Sequence, residues 1–228
     1  MSEEGKIKVL LVDDQPLLRM GFRLILEGEE DLEIVGEASD GAEAVRTVDA
    51  ARPDVVLMDI RMPILDGIEA TRRITESGSP ARVIILTTFD LDEYAFSGLQ
   101  AGASAFLLKD VAPAELVQAV RLVASGDAVV APRVTQRLLE TYVRGHRTPA
   151  QPAPDPLLAE LTRRETEVLE TIAAGLSNAE IAQKFFLSEA TVKTHVRRIL
   201  SKLQLRDRVQ AVVYAYETGL VVPSNPDY

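Results

Sequence analysis

The chain has 228 residues, of which 46% are hydrophobic and 26% charged; this composition suits a globular protein of one or two domains and excludes disorder of the whole chain. It contains no cysteine and only two histidines, which excludes a disulfide framework, a thiol nucleophile and a thiolate or histidine-rich metal site. The net charge of −10, taken over the whole chain, argues against nucleic-acid binding. Because the acidic N-terminus has no apolar signal segment and no stretch approaches the roughly 18 to 20 apolar residues that span a bilayer, we expect a cytoplasmic protein without a membrane partner.

The first part of the chain alternates five short apolar runs with five amphipathic stretches. The runs are rich in Val, Ile and Leu and have the length of strands that are covered on both faces. The stretches between them have helical spacing; Ala42, Val45 and Val48, for example, recur at intervals of three. Five strand–helix repeats predict a parallel sheet with helices on both faces. The predicted strands are 6–12, 32–38, 53–59, 82–88 and 104–109, and the predicted helices are 15–28, 41–51, 65–77, 91–101 and 113–125.

A change of pattern after Gly126 marks the best domain boundary. The segment VTQRLLETYV at 134–143 predicts one helix, and residues 144–156 contain four prolines, which disfavour both helix and strand. A proline-rich segment of this kind acts as a semi-rigid linker. We therefore predict an α/β domain at 6–126, a linker at 127–156 and a second domain at 157–222.

The last part of the chain is predicted to be an all-α domain of four short helices. A capping residue or capping box precedes each apolar-periodic segment, namely Thr162 with Glu165, Ser177 with Glu180, Ser188, and Asp207. Gly175 and Gly219 end the first and the fourth helix. Short capped helices joined by tight turns contain a helix-turn-helix pattern.

Five polar side chains fall at the carboxyl ends of the predicted strands. They are Asp13, Asp14, Asp59, Thr87 and Lys109. Because parallel strands end at one sheet edge, we expect these side chains to meet where α/β sheets bind ligands. Three carboxylates repel one another, and a hard divalent cation, usually Mg²⁺ beside phosphate, offsets that repulsion. A carboxylate at this edge can attack phosphorus and form an acyl phosphate, while the metal and Lys109 spread the charge and Thr87 bonds the phosphoryl group.

The segment DIRMPILDG at 59–67 resembles the phosphoacceptor loop of bacterial response-regulator receiver domains, and the other four side chains fall at that family's motif positions. The resemblance covers about residues 6–126 and implies a five-stranded parallel sheet in the flavodoxin-like order 2-1-3-4-5, with helices on both faces. It also implies that Asp59 is the phosphorylated residue. By the same resemblance Asp14 and Asp59 bind Mg²⁺ directly, Asp13 helps through water, and the backbone carbonyl of Arg61 completes the protein ligands.

Two further positions bear on this resemblance. Thr87 and Phe106 are similar to the family's switch pair, in which an aromatic side chain turns inward as the hydroxyl moves to the phosphate. The chain departs from its most similar subfamily at Ala105, where glycine is usual. That difference could shift the fifth strand slightly, but it does not touch the chemistry.

Positive charge is concentrated in one helix of the second domain. Residues 157–228 hold nine basic and nine acidic residues, but residues 184–208 hold seven basic and only two acidic ones. The helix after Ser188 has an apolar side, made of Val192, Val196, Ile199, Leu200 and Leu203, and places Lys193, Thr194, Arg197 and Arg198 on its other faces. Lys and Arg read guanine edges and bind phosphate, and the second helix of a helix-turn-helix enters the major groove.

The segments LTRRETEVL, GLSNAEIA and SEATVKTHVRRILSKL closely resemble the LuxR-type helix-turn-helix domain over about 158–222. Together with the receiver domain, they make the chain similar to NarL/FixJ-type response regulators. By this resemblance the base-contacting positions are Lys193, Thr194 and Arg197, and the last helix, at 208–218, takes part in dimerisation. Arg198 and Lys202 are better candidates for phosphate contacts. His195 is expected to pack or to lie near phosphate rather than to bind a metal.

These features together predict a response regulator. We expect a histidine kinase to phosphorylate Asp59 with Mg²⁺, and the changed receiver surface to alter homodimerisation and binding to double-stranded DNA. Beyond self-catalysed phosphotransfer and autodephosphorylation, we expect no enzyme activity. Two alternatives stay open. The first is a haloacid-dehalogenase-like phosphohydrolase, which would use Asp59 as nucleophile but needs a second acid where this chain has Arg61. The second is a phosphorylation-independent DNA binder with a vestigial receiver, which the complete acid set disfavours.

Overall fold

The computed structural model describes residues 5–87, 97–126 and 155–221. Contacts separate them into two compact units, with residues 5–126 in the first and 155–221 in the second. The predicted helix at 134–143 and nearly all of the predicted linker lie outside the described residues, so the predicted domain limits stay predictions. Of the predicted helix at 91–101, residues 97–100 are described and are helical. Within the described part of the chain, no helix has both the length and the apolar character to cross a membrane.

The first unit is built on a five-stranded parallel sheet in the order β2-β1-β3-β4-β5. Every residue of β3 and nearly every residue of β4 is buried, because helices cover both faces and leave no room for an alternating polar side. The parallel sheet and its strand order are confirmed. The strands are β1 at Ile7–Val12, β2 at Leu32–Ala38, β3 at Val55–Asp59, β4 at Arg82–Thr87 and β5 at Ala105–Leu108.

The pairing register brings the carboxyl ends of the inner strands level with one another. Asp59, the last residue of β3, pairs with Leu86 of β4, and Thr87 pairs with Leu108 of β5. The last residue of β1 pairs with the residue before Asp59. Side chains that follow these strands therefore emerge at one edge of the sheet.

Four helices of the first unit follow the sequence-based prediction closely. The Asp66 side chain accepts a hydrogen bond from the backbone N–H of Glu69, so the helix predicted at 65–77 begins only at Gly67. Asp40 caps the preceding helix in the same way, through Glu43. The helices are α1 at Pro16–Glu27, α2 at Gly41–Ala51, α3 at Gly67–Glu76 and α4 at Pro113–Ser125.

The second unit is helical throughout its regular elements and contains the predicted helix-turn-helix. Both predicted capping boxes form, and the Ser188 and Asp207 side chains accept hydrogen bonds from the first turns of the helices that they precede. A 3-10 helix at Pro156–Glu160 comes before α5 at Arg163–Ala173, α6 at Asn178–Phe185, α7 at Glu189–Lys202 and α8 at Arg208–Glu217. One apolar core joins the four α-helices, with Leu169, Ile181, Val192, Ile199 and Val212 among its buried members.

Candidate functional site

The predicted acidic cluster forms at the carboxyl edge of the sheet. Asp13 and Asp14 follow β1, and Asp59 is the last residue of β3. Carboxylate oxygens from these three residues all lie within 4.8 Å of one another. Asp13 and Asp59 are only 1% and 4% exposed, whereas Asp14 is exposed, so the cluster is accessible from one side.

The Lys109 ammonium completes the cluster from the residue after β5. Its Nζ lies 2.7 Å from Asp13 Oδ2 and 2.9 Å from Asp59 Oδ2. The Lys109 backbone N–H donates to the Thr87 carbonyl at 2.8 Å, which holds this lysine at the end of β4. Three carboxylates against one ammonium leave two negative charges, which is the charge that one bound divalent cation neutralises.

The burial of this cluster changes the proton affinities of its members. Burial raises the pKa of Asp59 above its usual range, although the Lys109 ammonium acts in the opposite direction. Burial alone would lower the pKa of Lys109, but the hydrogen bonds and charges of Asp13 and Asp59 outweigh it and raise that pKa. Lys109 is therefore the group that favours the ionised, nucleophilic form of Asp59 in these buried surroundings.

The loop after Asp59 can turn back tightly only because residue 67 is glycine. A Cβ on Gly67 would lie 1.9 Å from the carbonyl oxygen of Asp59 and 3.0 Å from Met58 Cγ. The Gly67 N–H donates to the carbonyl of Ile60 at 2.9 Å. The close approach therefore needs a residue without a side chain and fixes the backbone that presents Asp59.

Arg19 supports the cluster, and sequence reasoning missed it. Its Nη1 donates to the backbone carbonyl of Asp13 at 2.6 Å, and its Nε donates to Glu37 at 2.6 Å. The backbone N–H of Gln15 donates to Asp13 Oδ1 at 2.8 Å. These bonds orient Asp13 toward Lys109. The available signal was the position of Arg19 one turn into α1, directly after the acidic pair.

The two members of the predicted switch pair are buried on neighbouring strands. Thr87 and Phe106 are each 7% exposed. The Phe106 ring packs over Gly98, where an added Cβ would lie 2.5 Å from Phe106 Cζ. The ring is thus already directed inward, and its role as a switch stays a prediction. Arg61 is exposed in the loop after Asp59, and the proposed metal-binding role of its carbonyl also stays a prediction.

The predicted DNA-reading helix is α7, and its packing decides which side chains are available. Val192 and Ile199 are fully buried in the core of the second unit. The opposite faces expose four of the five predicted DNA contacts, namely Lys193, Thr194, Arg197 and Arg198. The Ser188 side chain accepts from the Thr191 N–H at 3.2 Å, so this helix begins at a well-defined residue.

The fifth predicted contact, Lys202, is bound within the protein. Its Nζ donates to Glu165 Oε2 at 2.7 Å and to the carbonyl of Glu160 at 3.0 Å. Burial alone would raise the pKa of Glu165, but hydrogen bonds from Lys202 and Thr162 outweigh it and lower that pKa to about 2. This geometry favours a role for Lys202 in joining α7 to α5 rather than in binding phosphate.

His195 lies half-buried on α7, and its Nδ1 is buried without a hydrogen-bond partner in the described structure. Among the described residues, the one cluster of three or more metal-ligating side chains is the acidic cluster of the first unit, and His195 is not part of it. The expectation that His195 packs or lies near phosphate stays a prediction.

Comparison with known proteins identifies both units. Residues 9–121 match the response regulator receiver domain, and residues 159–215 match bacterial regulatory proteins of the luxR family. The chain is 45% identical over 219 residues to the "uncharacterized transcriptional regulatory protein YxjL" of Bacillus subtilis (strain 168), covering 96% of this chain and 99% of that protein. It is 42% identical over 215 residues to the transcriptional regulatory protein LiaR of the same organism, covering 94% and 99%. The solved structure of the response regulator ChrA of a heme-sensing two-component system is 38% identical with a TM-score of 0.51, covering 95% of this chain and all of that one.

Proposed function

The chain belongs to the response-regulator family, with a receiver domain followed by a LuxR-type DNA-binding domain, and we propose that phosphorylation of Asp59 controls its dimerisation and its binding to double-stranded DNA. The observation that carries this proposal is the convergence of Asp13, Asp59 and Lys109 within 2.9 Å contacts at the sheet edge. Burying a charge cluster of this kind is unfavourable for folding, and such clusters are found at functional sites. A phosphoryl-transfer site accounts for this one.

Asp59 acts as the nucleophile. One carboxylate oxygen attacks the phosphorus of a phosphodonor such as the phosphohistidine of a kinase; the new O–P bond forms as the bond from phosphorus to the donor breaks, and that electron pair leaves with the donor group. The Lys109 ammonium, already 2.9 Å from Asp59, spreads the charge on the phosphoryl oxygens. The Thr87 hydroxyl, at the end of the adjacent strand, donates a hydrogen bond to one of them.

The donor set of the acidic cluster fits Mg²⁺. Oxygen ligands are the ones that this hard cation prefers, and the cluster has two negative charges in excess. Asp13, Asp14 and Asp59 would hold the ion, together with the backbone carbonyl of Arg61. Bound there, Mg²⁺ supplies positive charge that offsets the repulsion between the carboxylates and the incoming phosphoryl group.

Phosphorylation changes the contacts on which the resting site depends. The acyl phosphate replaces the carboxylate that now pairs with Lys109, and it gives Thr87 a new acceptor. Phe106 pairs with Ile85, two residues before Thr87, and we expect rearrangement at Thr87 to reach this ring and the surface formed by β4, β5 and the following helix. The phosphoryl group thereby acts as a ligand that favours one of two receiver states, and the favoured state dimerises.

The second domain supplies the DNA contacts. Lys193, Thr194 and Arg197 would read base edges, and Arg198 would bind phosphate; the exposure of all four on α7 supports these roles. Two such domains in a dimer would bind two half-sites one or more helical turns apart. The relatives that cover nearly the whole chain are named as transcriptional regulators rather than enzymes, so the only chemistry proposed for this chain is its own phosphotransfer and autodephosphorylation.

Intact-mass spectrometry tests the receiver half of the proposal. We expect incubation with acetyl phosphate and Mg²⁺ to add one phosphoryl group to the wild type and none to Asp59→Asn, and EDTA to abolish the addition. Asp54→Asn is the matched control, because Asp54 lies just before β3, at the opposite end from the site, and its side chain accepts from the Lys8 N–H. An unmodified wild type, or equal modification of Asp59→Asn, would contradict the proposal.

Selection from a pool of random duplexes tests the second half. We expect the phosphorylated full-length chain to select paired half-sites, and to bind them more tightly than the unphosphorylated chain or Asp59→Asn does. Equal affinity of all three forms would instead support a DNA binder that phosphorylation does not control. Protection of a single unrepeated half-site would contradict the proposed dimer.

A further inference from the structure

Phe186 combines two unfavourable features at one position. Its side chain is 96% exposed, and its φ of 56° places a bulky residue in the left-handed region of backbone space. Residues other than glycine and asparagine avoid this region, and an exposed ring gains nothing from burial. The left-handed backbone ends α6, because the Phe186 N–H donates to the carbonyls of Ala182 and Gln183. Neither this cap nor core packing explains why the capping residue is phenylalanine rather than glycine or asparagine.

The preceding residue in the same turn, Phe185, does pack its ring against the domain. Phe185 is half-buried, with the Arg164 guanidinium 4.1 Å from its ring centre and Lys184 Nζ at 5.9 Å. Arg164 also donates to the carbonyl of Phe185 at 3.2 Å, which fixes the end of α6. The left-handed backbone at the next residue then directs the Phe186 ring away from the domain core.

The surroundings of Phe186 indicate what covers the ring. The turn lies two residues before Ser188, the N-cap of α7, and the N-terminal part of a recognition helix is the part that approaches base edges. Residues 184–198 carry four basic side chains and one acidic one, Glu189. The basic side chains of this segment can bind phosphate groups, and the apolar ring can contact apolar surface on the same partner. DNA offers both phosphates and apolar surface.

We propose that Phe186 is a DNA-contacting residue whose ring packs on C–H surface of the duplex. That surface is either a thymine methyl group in the major groove or a deoxyribose at its edge. The inference rests on the proposed DNA binding and adds an uncharged contact from the turn to the polar contacts of α7. The cost of strain and exposure in the free protein is then recovered in the complex.

The receiver domain offers a parallel. Ile64 is 84% exposed with a φ of 68°, and it lies in the loop between Asp59 and α3. Among the described residues, Ile64 and Phe186 are the apolar side chains that combine high exposure with a left-handed backbone. In the chain, Ile64 follows the proposed phosphoacceptor and Phe186 precedes the proposed DNA-reading helix, so each lies close to residues proposed to contact a partner.

The test compares two glycine variants of the full-length chain. Phe186→Gly removes the ring and relieves the backbone, and Gln204→Gly is the matched control, because Gln204 is exposed just after α7 with the same φ of 56°. The probe is a duplex selected from the random pool by the wild type, with affinity measured by fluorescence anisotropy at several salt concentrations and folding measured by thermal unfolding. Phe186→Asn gives a second variant in the same backbone conformation, and Phe186→Tyr keeps the ring.

We expect Phe186→Gly and Phe186→Asn to bind the duplex at least 5-fold more weakly while unfolding at the same or a higher temperature. The dependence of affinity on salt should not change, because no phosphate contact is lost. Phe186→Tyr and Gln204→Gly should bind within twofold of the wild type. Binding by folded Phe186→Gly or Phe186→Asn within twofold of the wild type would overturn the inference and leave a protein partner as the reason for the exposed ring. An equal loss in Gln204→Gly would overturn it too, since backbone stiffness would then be the cause.

Uracil-for-thymine duplexes distinguish the two surfaces. If the ring contacts a methyl group, one substitution weakens the wild type but not Phe186→Gly; if it contacts a sugar, every substitution affects both proteins equally. Once Phe186→Gly has shown the loss of affinity, the first result assigns the contact to a methyl group and the second assigns it to a sugar. A wild type that selects no duplex from the pool would refute the proposed DNA binding itself, which is a different failure from that of Phe186.

Discussion

Replacement of Lys202 by methionine tests whether this lysine holds the second domain together or binds DNA. The change keeps the length of the side chain but removes the ammonium that donates to Glu165 and to the carbonyl of Glu160. Glu165 is only 3% exposed, so its carboxylate would be left buried with the two hydrogen bonds from Thr162 as its remaining support. We expect the variant to destabilise the contact between α5 and α7.

The magnitude follows from the shifted pKa of Glu165. A fall from 4.5 to about 2 corresponds to roughly 3 kcal/mol in favour of the charged form in the folded state. Thr162 supplies part of this, and the Lys202 side chain is 33% exposed and thus partly screened by water. We therefore assign about 2 kcal/mol of stabilisation to Lys202. If the protected amides of α5 and α7 exchange through opening of this unit, loss of that stabilisation should raise their exchange rate about 30-fold.

Hydrogen exchange of the full-length chain near pH 6, read by mass spectrometry, measures this loss. The contribution of Glu165 has a defined pH dependence: because its folded pKa lies below the usual 4.5, the stabilisation is complete above about pH 4.5 and is lost as the pH falls toward 2. Glu165→Gln should remove that acid sensitivity. Arg198→Met is the matched control, since Arg198 is exposed on the same helix and was predicted to contact phosphate.

The two variants should behave in opposite ways. Arg198→Met should leave hydrogen exchange unchanged and should reduce the slope of log DNA affinity against log salt concentration by about one. Lys202→Met should increase hydrogen exchange and leave that slope unchanged. If Lys202→Met exchanges like the wild type and loses one ion of salt dependence, the structural assignment of this lysine is refuted and the original interpretation as a phosphate contact is restored.

Gly67→Ala should destabilise the receiver by roughly 1–3 kcal/mol or more and prevent phosphorylation, because its Cβ would overlap the carbonyl oxygen of Asp59; urea unfolding and intact mass measure the two effects. Gly21→Ala is the contrasting case, since nothing lies within 4 Å of an added Cβ inside α1, and a gain of about 0.5–1 kcal/mol in urea unfolding is expected. Tyr216→Phe removes the hydroxyl that donates to the buried Ala173 carbonyl at 3.0 Å, which should cost about 1–2 kcal/mol in hydrogen-exchange protection of the second domain; an unchanged variant would mean that water satisfies this carbonyl.

Much of the receiver could be predicted because its signals are local or follow from sheet geometry. Apolar runs marked the strands, and parallel strands bring their ends to one edge, so Asp59 and Lys109 could be placed together although they are 50 positions apart in the chain. Helix boundaries depend in addition on which side chain caps the first turn. The third helix begins at Gly67 and not at residue 65, because Asp66 accepts from the first turn and so stands outside the helix.

The second domain shows where such prediction ends. The caps at Thr162, Ser177 and Ser188 were predicted from spacing, because each depends on a side chain and a backbone N–H three residues later. The partner of Lys202 was not, because Glu165 is 37 positions away and meets it only after α5 and α7 pack. The sequence places Lys202 in a basic run and so predicts a phosphate contact, and that role stays a prediction beside the ion pair with Glu165.

The amino-acid sequence by itself determined the strands, the helix starts, the acidic set and the family, since periodicity, capping and motif spacing act over a few residues or through the fixed alignment of parallel strands. Only the tertiary structure decided which charged side chains form ion pairs and hydrogen bonds within the protein. Arg19 and Lys202 pair within the protein, whereas Arg197 and Arg198 stay exposed. The physical reason is that an ion pair depends on where two chain segments come to lie and on how far packing removes them from water, and neither quantity is encoded at the residue itself.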